Sequence, residues 1–238
     1  MADVEDVKAA KDVKAAKAVK GAKDVGIGRR EQRRLQQQDL SRQQLLDAAE
    51  QVFSTKGYHE ATLKAIAEVA EFSVGSVYSF FENKDDLFFS VFLRRGDELL
   101  PAMREIAERD GSALEQVHAL VELEIGFFRQ HDAFARLYLR TSSATVLSPE
   151  RPVDEVMRGR FAEAMRLQAA IMARGQERGE IRAGPPGVLA RLLSSLVSGY
   201  QASDPEVVGD DAPEGAPMDL ADLHDLVDKA FRAPRTRR

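Results

Sequence analysis

The chain has 238 residues, 44% hydrophobic and 31% charged, which is enough for one large domain or two smaller ones with true cores. Its formal charge of −5 argues against a uniformly basic nucleic-acid binder, and the absence of cysteine excludes disulfides and thiolate metal sites. No run approaches the roughly eighteen apolar residues of a membrane span, and the N-terminus lacks the apolar core of a secretion signal, so a cytoplasmic protein with no membrane partner is expected.

Charge is unevenly placed. Residues 1–40 carry ten Lys or Arg against seven Asp or Glu, whereas residues 201–228 carry nine acids and no Lys or Arg. Any polyanionic partner is therefore met by the front of the chain. Residues 6–23 are a short repeat, DVKAAK, DVKAAK, AVKGAK, with a lysine every third position from Lys8 to Lys23. A three-residue step turns about 300° on a helix, so these lysines build no single face. Ala and Val alone bury too little surface to offset the entropy of ordering, and residues 1–38 are expected to form a disordered basic tail. The alternative is a tether that touches DNA phosphates without reading sequence, and Arg29, Arg30, Arg33 and Arg34 extend its charge.

Periodicity begins at Ser41. Leu45, Ala49, Val52 and Phe53 fall at i, i+4, i+7 and i+8, which predicts an amphipathic helix capped by Ser41 and stopped at Gly57. Thr62 is the expected cap of a short second helix with Ile66, Ala67 and Ala70 inward. Glu71 and Phe72 form a tight connection, Ser73 caps a third short helix ending near Phe81, and Asn83 caps a long fourth helix. That helix carries Leu87, Phe88, Val91, Phe92, Arg95 and Leu99 on one face and meets Pro101, where a kink or break is expected. Further helices are predicted over 113–130, 133–143, 153–178, 188–202 and 218–231. No segment reads as a strand, and the chain is predicted all-α with about nine helices.

Two brief helices joined tightly after a longer one make a helix-turn-helix, here at residues 62–81. The stretch FSVGSVYSFFENK, residues 72–84, is poor helix-forming material, crowded with aromatics. It suits a recognition helix that must enter a major groove about 12 Å wide. On this spacing Val77 and Phe81 anchor inward together with Val74, while Gly75, Ser76 and Ser79 keep the outer face low.

The run LLDAAEQVFSTKGYHEATLKAIAEVAEFSVGSVYSFFENKDDLF resembles the N-terminal DNA-binding domain of the TetR family of bacterial transcriptional regulators. The matching residues include Ala48, Ala49, Phe53, Gly57, Tyr58, Ala61, Thr62, Ile66, Ala67, Ala70, Ser73, Gly75, Tyr78, Phe81, Lys84 and Leu87, and the likeness covers about residues 39–99. It implies a DNA-binding domain there and a helical effector-binding and dimerisation domain over 100–238. It also implies that Thr62 bonds a phosphate with Lys64 beside it. Ser73, Val74 and Ser76 present the recognition helix to the groove, Tyr78 touches a phosphate or a thymine methyl, and Lys84 pairs with a phosphate. Two positions depart from the family pattern. Phe80 stands where His or Tyr is common, and Val74 stands where a polar residue is common, which tilts base readout toward thymine methyls.

The implied function is a sequence-specific regulator, most simply a dimeric repressor released from its operator by a small molecule. The alternative is a DNA-associated or protein-binding module that lacks sequence specificity and depends on the Lys-rich tail. A homodimer is expected through the helix near 188–202, apolar over much of its circumference, and the apolar stripe of the helix near 218–231. Candidate ligand-lining residues are Phe127, Phe128, Tyr138, Met157, Phe161 and Met165. An apolar effector is expected, since few charged residues fall on predicted inward faces. Glu115 and His118 form a single Glu-x-x-His step without the second that a di-metal site needs, and a packed, hydrogen-bonded His118 is expected instead. No P-loop, dinucleotide fingerprint or nucleophile elbow is present, so the sequence predicts no enzyme, metal or cofactor.

Overall fold

A computed structural model describes residues 28–145, 155–215 and 218–234. The repeat at residues 6–23, and the tail as far as residue 27, lie outside these residues. Ten α-helices occur among them: α1 (Arg29–Glu60), α2 (Leu63–Val69), α3 (Val74–Phe80), α4 (Lys84–Glu108), α5 (Ala113–Gln130), α6 (Asp132–Thr145), α7 (Glu155–Glu177), α8 (Pro186–Gln201), α9 (Pro205–Val208) and α10 (Leu220–Phe231). A 3₁₀ turn covers Gly209–Asp211, and the only β pairing among the described residues is an isolated bridge between Ile181 and Arg232. The fold is all-α, as expected. The added helix is α9, read from sequence as loop. Asp204 caps it by accepting from the Glu206 N–H at 3.0 Å, and Pro205 opens its first turn.

Two compact units divide within α1, one ending at Gln43 and the other beginning at Gln44. In the first, residues 29–43 are helical, twelve residues ahead of the predicted start at Ser41. Arg, Gln, Glu and Leu dominate RREQRRLQQQDLSRQQ, all strong helix formers, and Arg34 donates to Glu31 one turn back at 3.0 Å from its Nε.

The second unit contains two apolar clusters. The first joins Leu45, Phe53, Ile66, Val77, Phe81, Leu87 and Phe88 to Phe128, Phe134 and Leu137 from α5 and α6. The second gathers Leu100, Met103, Val117, Val121, Ile171, Leu193, Val197, Leu223, Val227 and Phe231. Helix α4 feeds both, and it runs through Pro101 without a break because Leu100 and Met103 on either side are packed in the core. The expected domain boundary at residue 99 falls inside it. The predicted stop at Gly57 appears as a break within the α1 span, with φ 71° and ψ 171°. Ser112 and Glu115 start α5 with reciprocal capping bonds of 3.2 and 2.9 Å. Where Gly175 passes the start of α5, an added Cβ would lie 2.6 Å from the Ala113 Cβ and 2.3 Å from Ile181, so only glycine permits that approach.

Candidate nucleic-acid interface

Helix α2 begins where the sequence places it. Thr62 is extended at φ −124°, and its hydroxyl oxygen accepts from the Ala65 N–H at 3.1 Å. Ile66 and Ala67 are buried; Lys64 is exposed and pairs loosely with Glu68 at 3.9 Å. The connection to α3 is a Schellman turn. The Phe72 N–H donates to the Ala67 carbonyl at 2.9 Å and the Glu71 N–H to the Glu68 carbonyl at 3.2 Å. Glu71 takes the left-handed conformation, φ 60°, at a cost of about 1 kcal/mol relative to glycine. It is the only non-glycine residue with positive φ among those described, and it sets the angle between the two short helices.

Ser73 then caps α3, its Oγ accepting from the Ser76 N–H at 3.0 Å and lying 2.8 Å from the Ser76 hydroxyl. Val77 and Phe81 are fully buried, as expected. Val74 is not their partner: it shares their helical face, yet as the first residue of α3 it is 37% exposed. The outer surface of α3 therefore comprises Val74, Gly75, Tyr78 at 58% exposure and Ser79, with Ser76 half-buried. This low surface is mostly methyl, glycine and hydroxyl, with one projecting phenol. Phe80 is half-buried against the first core cluster, which is why the aromatic can replace a polar residue there.

Lys84, which the resemblance sets against a phosphate, has partners within the chain. Its ammonium donates to the carbonyls of Tyr58 at 2.9 Å, Ala61 at 3.0 Å and His59 at 3.4 Å, and it lies 4.3 Å from the Tyr58 ring centroid. All three N–H groups are engaged, and the lysine satisfies carbonyls left open where the chain breaks at Gly57. Around it the first turn of α4 is acidic. Asp85 accepts from the Tyr58 hydroxyl, and Asp86 accepts from the Glu82 N–H at 2.9 Å. Residues 45–91 hold eight acids against three lysines, a balance of −5, whereas residues 28–43 hold five arginines against two acids.

In the larger remainder, Phe127, Phe128 and Tyr138 come together with Phe134; Phe128 lies 5.2 Å from the Tyr138 ring and 5.8 Å from both Phe127 and Phe134. Met165 is half-buried, with its sulfur 3.9 Å from the Ser194 hydroxyl, and Met157 is half-buried. Phe161 is 52% exposed and lines no interior, since its position on α7 faces away from the packed side. Sequence reading missed Glu124, Gln168 and Ser194, which form a polar chain among these apolar groups. The Gln168 amide donates to Glu124 at 3.1 Å and accepts from the Ser194 hydroxyl at 3.1 Å. Burial raises the Glu124 carboxyl to about 7, and burial with the nearby Glu124 charge raises the Tyr138 phenol to about 12. The signal was visible in spacing, because Glu124 continues the apolar stripe of Val117, Val121 and Phe128.

His118 is packed and hydrogen-bonded, 3.0 Å from Asp228, with its ring stacked 4.5 Å from His224. That contact ties α10 to α5, and the stripe of α10 is consumed within the chain, since Leu223, Val227 and Phe231 are buried. The expected dimer surface on that helix thus shrinks to Leu226 and its surroundings. Outward apolar residues concentrate instead on α8, with Val188 and Leu192, and on α7, with Val156 and Phe161.

Residues 45–91 match the family described as bacterial regulatory proteins, tetR family. Over 153 residues the chain is 26% identical to the fatty acid metabolism regulator protein of Bacillus subtilis, covering 63% of this chain and 75% of that one. Over 165 residues it is 27% identical to the HTH-type transcriptional regulator UidR of Escherichia coli, covering 68% and 80%. The crystal structure of the regulator FadR from Bacillus subtilis in complex with stearoyl-CoA has the same fold, with a TM-score of 0.62 at 18% identity over 79% of this chain and 95% of that one. A capped helix-turn-helix with a low outer face, the tetR-family match around it and regulators as relatives together mark residues 45–91 as a TetR-type DNA-binding domain and the chain as a sequence-specific DNA-binding transcriptional regulator.

Proposed function

We propose that the chain works in the cytoplasm as a homodimeric repressor that leaves its operator when a small molecule enters the helical domain. The observation that carries this reading is the sharing of α4. Its first half packs with α2 and α3, and its second half lies in the cluster that holds α5, α7 and α8. A shift of α4 on ligand binding moves the recognition helix relative to the groove. Relatives named for fatty acid metabolism, and a structure holding stearoyl-CoA, support a small-molecule effector without naming this one.

In this reading Thr62, Ser73, Ser76 and Tyr78 contact the DNA backbone, Val74 and Gly75 lie against base edges, and Lys64 adds a phosphate contact. The arginines of residues 29–34 supply charge that the acidic helix-turn-helix lacks. Dimerisation uses the outward faces of α8 and α7. The test is binding to promoter fragments from the source genome against random DNA, across a range of salt. A preferred fragment bound by two protomers upholds the reading. Equal affinity for every sequence, abolished when residues 1–34 are deleted, overturns it in favour of a non-specific module.

A further inference from the structure

Glu124 is half-buried on the inward stripe of α5, and its neighbours strip water from its carboxyl while leaving part of the side chain accessible. One neutral donor reaches it, the Gln168 amide at 3.1 Å. Gln168 is only 2% exposed, and the Ser194 hydroxyl fixes its orientation by donating to its oxygen, so the amide N–H is held toward Glu124. Among the described residues no lysine, arginine or histidine pairs with this carboxylate, whereas the buried Glu50 has two arginines. Burying an ionised carboxylate without a cation is costly, and the cost is offset when a ligand brings the positive charge.

We propose that Glu124 anchors the ammonium group of a lipophilic amine, whose apolar body lies against Phe127, Tyr138 and Met165. This rests on the reading that the helical domain takes a small-molecule effector, and it names the class. Tyr138 on α6 is near enough to feel the Glu124 charge, Phe127 stands one turn after Glu124 on α5, and aromatic faces attract a desolvated cation. Met165 lies on the other side, beside Ser194. An anionic head group is disfavoured at the same place, because it would meet the Glu124 carboxylate with no cation between them.

The test uses the full chain and three probes of equal length, decylamine, decanol and decanoate, with binding followed by titration calorimetry. Decylamine is expected to bind about tenfold tighter than decanol, as a charge-assisted hydrogen bond provides, and decanoate more weakly than either. In Glu124→Gln the amine and the alcohol should bind alike. If Glu124→Gln fails to fold, the order of the three probes on the unaltered protein still decides. Decanol or decanoate binding as tightly as decylamine, or a preference that survives Glu124→Gln, overturns the proposal. Release of promoter DNA is measured alongside: an amine that binds without releasing DNA upholds the anchor and sinks the effector reading, while release by a probe with no amine preference sinks the anchor alone.

Discussion

Glu50 and Arg95 form a two-pronged ion pair between α1 and α4, with Arg95 Nε 2.9 Å from one carboxylate oxygen and a terminal nitrogen 3.0 Å from the other. Arg94 adds a third bond to Glu50 at 2.9 Å, and Arg95 reaches on to Glu98 at 2.7 Å, itself 3.6 Å from His131 at the α5–α6 junction. The three central side chains are about nine-tenths buried. Glu50→Ala removes the buried acid the two guanidinium groups share and leaves Arg94 only Asp47 and Arg95 only Glu98, so a loss of about 3 kcal/mol is expected in denaturant unfolding.

Tyr78 is exposed and bears little of the fold. Tyr78→Ala should weaken operator binding roughly tenfold while leaving the melting temperature unchanged. Val74→Ala should cost less affinity, concentrated at positions where a thymine methyl is replaced. Binding measured on single-base operator variants checks both.

Lys84 separates a structural role from a phosphate contact. Lys84→Met removes three hydrogen bonds from a cation to carbonyls at the break after α1, and about 2 kcal/mol of stability should be lost. The slope of binding against salt should stay as it is, because no phosphate partner disappears. A slope that flattens by about one unit would restore the phosphate role.

Arg29, Arg30 and Arg33 are exposed on the leading turns of α1. Replacing all three by Ala should flatten the dependence of log affinity on log salt by up to about 3, given roughly 0.9 per phosphate contact. The preference among DNA sequences should be unaffected. Fluorescence anisotropy at several salt concentrations measures both.

Glu124 makes stability depend on pH. Its folded value of about 7 lies above the ordinary 4.5, so between these the folded protein keeps a proton that the unfolded chain has released. Stability therefore falls as pH rises through that window, by about 3 kcal/mol in all. Glu124→Gln should remove that slope, and unfolding of both proteins at the two ends of the window tests it.

Helix boundaries were legible where a cap or a stripe announced them. Thr62, Ser73 and Asn83 cap α2, α3 and α4 as the spacing predicts, because an oxygen two or three residues before a helix N–H is a local signal. The exposure of Val74 was not legible, since it shares the buried face and only its place as the first residue of a seven-residue helix leaves it open. The tie between Lys84 and residues 58–61 joins positions more than twenty apart, and no local pattern carries it. Glu124 shows in the spacing as an acid on an apolar stripe, but its partners Gln168 and Ser194 come from two other helices, which no local pattern carries.

The membership of α4 in both apolar clusters bears on how the molecule comes apart. Phe92 on α4 lies 5.4 Å from Phe134 on α6, so removing everything after residue 99 would strip the DNA-reading end of part of its own packing. On this packing heat should melt the two functional halves together. A graft of this recognition domain onto another helical sensor should therefore need the aromatic surface around Phe134 to come with it.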